Sequence, residues 1–154
     1  MKINIMLDEV KNDALTFLAF SFAEKCESKG IDPVFCLVNQ SKINKVVDFS
    51  FFDCSDKFSE SGIFIATSAT TANILKSFCG KNNSIYYMWN LDWLEDKDFS
   101  YEKRREKYVI PNFKYACRSE QHKKIVNKMW RIENIKLVKD FGLKEMISLI
   151  EEEK

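Results

Sequence analysis

Four short stretches of this 154-residue chain hold the side chains that could do chemistry. They are Asp8-Glu9, Thr67-Ser68-Ala69-Thr70-Thr71, Trp89-Asn90-Leu91-Asp92-Trp93-Leu94-Glu95 and Arg118-Ser119-Glu120-Gln121-His122. In the third, Asp92 and Glu95 could serve as catalytic general bases, with Arg118 holding a charged oxygen. No spacing forces that role, and both carboxylates are equally readable as surface residues. Trp89 and Trp93 flank Asn90 and Asp92. An indole face stacked on a base is worth roughly 1–3 kcal/mol, but an indole serves as readily in a core. The candidate ligand-binding residues are thus Asp8, Thr67, Ser68, Thr70, Thr71, Trp89, Asn90, Trp93, Arg118, Ser119 and His122. His122 is the sole histidine, three and four residues before Ile125 and Val126 at the edge of an apolar stripe, so a structural role is open beside a binding one.

Positioning these groups requires a scaffold, and the pattern of apolar runs supplies one. Residues 2–7, 34–38, 63–66, 85–89, 113–117 and 135–138 are short apolar runs of the kind expected for strands buried on both faces. Between them lie helical patterns. Leu15, Leu18, Phe22 and Cys26 recur at helical spacing, with Asn12 or Asp13 as cap and Gly30 as left-handed stop. Further helices are expected through Ala72, Leu75 and Phe78 to Gly80, over 99–107 before Pro111, over 120–131, and over 143–150. Residues 39–60 are less regular: a short helix over 41–47 and a short strand over 49–52 fit them. The expected fold is α/β: one Rossmann-like domain over residues 1–154, with a doubly wound, mainly parallel sheet of about six strands and helices on both faces. In such a sheet the loops after the strands open on one edge, which brings the four stretches together. The hydroxyl turn at 67–71 then lies between a strand end and a helix N-terminus. That junction offers N–H groups and a positive dipole end to an anion, although simple N-capping also accounts for it.

The composition excludes several classes. The chain has no GxGxxG after the first strand, no GxxxxGK[ST] and no GxSxG, which argues against the usual dinucleotide site, a P-loop and an α/β-hydrolase. One His and five scattered Cys without CxxC spacing suggest no metal site; the cysteines read as reduced, buried small hydrophobes in a cytoplasmic protein. No apolar run reaches membrane-spanning length, and the N-terminus does not read as a signal peptide. The net charge of +1 conceals a basic segment, residues 97–136, with 12 Lys and Arg against 5 Asp and Glu. Its Lys103, Arg104, Arg105, Lys123, Lys124 and Lys128 are candidate contacts for phosphate or DNA, or a solvated helix surface.

The succession of segments resembles the N-terminal half of a GT-B glycosyltransferase. Residues 2–7, the helix ending Ala23-Glu24-Lys25-Cys26-Glu27-Ser28-Lys29-Gly30 and the strand 34–38 resemble that family's opening βαβ unit. Residues 63–71 are similar to its strand and hydroxyl turn, and 85–94 to the strand whose end lies over the acceptor pocket. Tyr115-Ala116-Cys117-Arg118-Ser119-Glu120 resembles the strand leading to a Ser-Glu helix start, and 135–141 the strand before the interdomain linker. Two departures stand out: residues 8–13 replace the glycine-rich turn, and no second, donor-binding domain is within the 154 residues. The resemblance implies an acceptor-binding domain, with a nucleotide sugar as donor substrate rather than a cofactor, and a second protein chain supplying the donor site. A DNA acceptor would explain the basic segment and points to phage-type DNA glycosyltransferases. A binding or inhibitor protein that keeps the fold without the reaction is the alternative, and a small hydrolase using Asp92 and Glu95 is a third.

Overall fold

The computed structural model describes residues 1–39, 48–54, 62–78, 83–95 and 100–151. Among the described residues seven strands form one all-parallel sheet: β1 (Lys2–Leu7), β2 (Asp32–Leu37), β3 (Ser50–Asp53), β4 (Ile63–Ala66), β5 (Ser84–Met88), β6 (Lys114–Cys117) and β7 (Ile135–Leu137). Their order is β3-β2-β1-β4-β5-β6-β7. The described helices that cover it are α1 (Ala14–Glu27), α2 (Ala69–Phe78), α3 (Tyr101–Tyr108), α4 (Glu120–Trp130) and α5 (Leu143–Glu151). The expected α/β, doubly wound architecture is therefore present, with one strand more than the count of six. The seventh is the short edge strand β3, close to the strand anticipated over 49–52. The helix anticipated over 41–47 and the stop at Gly80 lie outside the described residues.

The two-residue period of β1 sorts the core. Ile3, Ile5 and Leu7 pack on one side with Ala19, Phe22 and Ala23 of α1 and Met146 and Leu149 of α5. Met6 packs on the other with Ala72 and Leu75 of α2, Tyr108 of α3, and Val126 and Trp130 of α4. From β1 the chain winds outward in both directions. Right-handed crossovers running opposite ways place their helices on opposite faces, which is the arrangement found. Trp130 is fully buried between Tyr108, stacked at 5.5 Å, and Tyr101, stacked at 5.6 Å. Truncating a tryptophan so placed costs about 3–5 kcal/mol.

Local chemistry sets the element ends. The Asp13 side chain accepts the Thr16 N–H at 2.8 Å and starts α1; Gly30, at φ +70°, lets the chain turn back toward β2. β2 begins two residues before the apolar run and so includes Pro33. The Asp32 N–H reaches the Met1 carbonyl at 3.0 Å, toward β1, so the Pro33 nitrogen faces the opposite side. There β3 pairs only from Val34 onward, and the missing N–H leaves no ladder bond unmade. At the other end of the chain the Lys114 ammonium donates to the Leu149 and Ile150 carbonyls at 2.7 and 3.3 Å. A cation thus closes the last turn of α5.

Candidate functional site

The loops after β1, β4, β5 and β6 all open at the carboxyl edge. β1 and β4 are neighbours from which the chain winds opposite ways, and such a switch point is where parallel sheets leave a ligand crevice. Here the crevice is bridged. The Ser68 hydroxyl donates to Asp8 Oδ1 at 2.9 Å, and the Thr67 hydroxyl donates to the Met6 carbonyl at 2.8 Å. Thr71 Oγ1 accepts the N–H groups of Thr67 and Ser68 at 3.1 and 3.0 Å, while Ser68 Oγ accepts the Thr71 N–H at 3.1 Å. The hydroxyl turn therefore caps α2 and ties β4 to β1 at once. Thr70 alone of its hydroxyls stands open to solvent.

Asp92 completes this cap from the next strand. It opens a single 3-10 turn, Asp92–Leu94, and its Oδ2 accepts the N–H of Ala69, the first residue of α2, at 2.9 Å. The turn is anchored by its neighbour. Trp93 is buried edge-on against Tyr108 and Trp130, each with its ring centroid at 5.4 Å. Burial raises the Asp92 pKa above the ordinary 3.8; Asp8 and Glu95 push the same way, and the Ala69 N–H and Lys107 oppose them. The carboxyl is thus a stronger base than a solvated aspartate. Asn90 and Glu95 beside it are exposed.

The loop after β6 builds a second half of this edge. Ser119 caps α4 by accepting the His122 N–H at 3.1 Å. The Arg118 guanidinium lies over the Trp89 ring at 4.6 Å. His122 is held below the ordinary histidine pKa, first by burial and then by Arg118, with the Met88 carbonyl pulling the other way. Trp89 and Trp93 go to opposite faces of the sheet, Trp89 beside Tyr87 and Phe141, Trp93 in the α3–α4 layer. Both rings are buried among protein groups.

Two residues that the sequence pattern did not single out belong to this edge. Asp140 and Phe141, just past β7, are consecutive non-glycine residues at φ +48° and +53°, a conformation that costs roughly 1–2 kcal/mol per residue. Phe141 is fully buried against Phe22, Tyr87 and Trp89, and the Tyr87 hydroxyl donates to the Val138 carbonyl at 2.8 Å, which together hold the turn. The Asp-Phe-Gly string after an apolar run was the available signal.

The basic residues form a third group, carried on two helices. Lys103, Arg104 and Arg105 are on α3, and Lys123, Lys124 and Lys128 on α4. The two helices cover the same face and are tied by Tyr101, which stacks on Trp130 and donates to the Met129 carbonyl at 3.1 Å. Lys103, Arg105, Lys124 and Lys128 are exposed; Arg104 and Lys123 are half-buried. The described cysteines Cys26, Cys36, Cys54 and Cys117 are buried and unbridged; burial pushes the thiols of Cys26, Cys54 and Cys117 up to about 12, so they are protonated at neutral pH. Among the described residues no three His, Cys, Asp or Glu side chains are grouped to hold a metal ion, and no helix is long and apolar enough to cross a membrane.

Compared with known proteins, the chain matches no family model, no curated protein and no solved structure.

Proposed function

We propose that this is a glycosyltransferase-like domain that binds an acceptor at the carboxyl edge, with Asp92 as the base that takes the acceptor's proton. The observation that carries this reading is the placement of Asp92: half-buried at the switch-point crevice, one oxygen fixed by the Ala69 N–H, its basicity raised by burial. In the reaction the acceptor oxygen bonds the anomeric carbon of a nucleotide sugar, the bond to the nucleoside diphosphate breaks with its electron pair, and the hydroxyl proton passes to Asp92. Glu95, exposed three residues on, strengthens the base by its negative charge. Arg118 and His122, across β5, suit a charged oxygen of acceptor or donor. The donor itself is bound outside this domain. The basic face of α3 and α4 suits a DNA acceptor, because lysines and arginines on adjoining helices neutralise successive phosphates.

A specific observation favours a second reading, a binding or inhibitor protein without turnover: Ser68, Thr71 and Asp92 are all engaged in capping α2. The two readings separate in one assay. Transfer from a sugar nucleotide to duplex DNA or a hydroxylated acceptor, lost in Asp92→Asn, supports the enzyme. Ligand binding that is equal in wild type and Asp92→Asn, with no transfer, supports the binding protein. For the DNA acceptor, affinity should fall steeply with salt and weaken in Lys124→Glu/Lys128→Glu; a salt-independent affinity would remove the phosphate argument.

A further inference from the structure

At the opposite, amino edge of the sheet lies a cavity of 560 Å³ at the starts of β6 and β7. Its apolar lining comes from Phe113, Tyr115, Ile132 and Leu149. The Tyr115 hydroxyl is already committed, exchanging bonds with the Ile110 N–H and carbonyl at 2.6 and 2.9 Å, so the ring presents no free polar group. Lys114, also on the lining, has its ammonium bonded to the α5 carbonyls. The polar groups left for a ligand are Arg131, Glu133 and Asn134. Among the described residues none hydrogen-bonds or ion-pairs with these three side chains.

That Arg131 and Glu133 do not pair, two residues apart, has a local cause. Arg131 ends α4 in the left-handed conformation, φ +56° and ψ +38°, with its N–H on the Asn127 carbonyl at 2.8 Å. The Asn127 side-chain amide then donates to the Ile132 carbonyl at 3.0 Å and fixes the chain leaving the helix. The cap turns the backbone between the two charges. One cationic and one anionic side chain thus line one partly apolar cavity without pairing, with an amide beside them.

We propose that this cavity binds a zwitterionic small molecule with an apolar body, of the free α-amino acid class, its carboxylate on Arg131, its ammonium on Glu133 and Asn134, and its side chain against Phe113, Tyr115, Ile132 and Leu149. A guanidinium matches a carboxylate in two parallel hydrogen bonds, and an ammonium needs the acceptors that Glu133 and the Asn134 carbonyl provide. The cavity is larger than an amino acid with an aromatic side chain and lies within the range of small-molecule sites. This site is separate from the carboxyl edge and does not depend on the glycosyltransferase-like reading.

The test is a titration of the full chain with L-phenylalanine, followed by calorimetry and thermal shift, alongside phenylacetate and phenethylamine, each of which keeps one charge. Saturable binding of phenylalanine is expected, with each analogue weaker by about tenfold or more. Arg131→Gly is the decisive variant. Glycine accepts the left-handed cap at least as well as arginine, so the fold is kept while the guanidinium is removed. Its unliganded melting temperature should not fall, and its affinity should drop by about tenfold or more, as should that of Glu133→Gln. Asp92→Asn, at the other edge, should bind phenylalanine like wild type. No saturable binding at millimolar phenylalanine would overturn the proposal. So would analogues that bind as well as the zwitterion, or an Arg131→Gly protein that binds as wild type does.

Discussion

Replacing Asp92 separates what its charge does from what its oxygen does. In Asp92→Ala the Ala69 N–H, on a residue only 2% exposed, loses its acceptor at the start of α2. A buried donor left without a partner costs about 1–3 kcal/mol, and loss of a helix cap typically about 1 kcal/mol. Against this, the variant no longer buries a carboxylate that burial, Asp8 and Glu95 all disfavour. The expected net loss is about 1–2 kcal/mol, a fall of roughly 3–6 °C in melting temperature for a chain of this size. Asp92→Asn keeps an oxygen for the Ala69 N–H and should lie near wild type at neutral pH.

The pH dependence supplies a sign that only the charge can produce. Because the folded pKa of Asp92 is raised above 3.8, the folded state holds that proton more tightly than the unfolded state. Its contribution to stability therefore declines as pH rises from 3.8 through the folded value, and is regained on acidification. Asp92→Asn should lack that component. Urea unfolding of wild type and both variants, repeated across the acid range, measures all three quantities. Equal destabilisation by Ala and Asn, or no destabilisation by Ala, would refute the capping role and remove the geometric basis for Asp92 as a positioned base.

Two further outcomes can be checked directly. His122 is the only histidine, so its ring-proton titration by NMR should give one midpoint below 6.5, raised by Arg118→Ala but still depressed because burial is the larger cause; an unchanged midpoint would show that Arg118 exerts no field there. The same shift makes the fold lose stability as pH drops through the window below 6.5. Gly62→Ala should cost about 1–3 kcal/mol in chemical denaturation, since Gly62 sits at φ +148° and a Cβ would lie 3.0 Å from both the Asn4 amide nitrogen and the Lys2 carbonyl; a change indistinguishable from zero would mean that the strand start yields freely.

Much of this molecule is written locally. The six mainly apolar runs, the Asp13 cap and the Gly30 stop each depend on neighbours a few residues away, and a strand buried on both faces admits few polar side chains. That is why the parallel sheet and its carboxyl edge could be anticipated. β3 was harder to count: at a sheet edge it alternates between half-buried and exposed positions, leaving a weaker signal. The site divides in the same way. Its hydroxyls and acids announce themselves as types, but Ser68 meets Asp8 across 60 positions and Ala69 meets Asp92 across 23.

Sequence alone determined which segments become strands and helices and which loops gather at one edge, because periodicity and capping are short-range interactions. Only the tertiary structure decided the order of those strands. That order sends Trp89 and Trp93 to opposite faces, sets the Asp92 carboxylate on the first amide of α2, and opens the amino-edge cavity beneath Arg131 and Glu133. Such pairings depend on which strand lies beside which, and no local pattern carries that information.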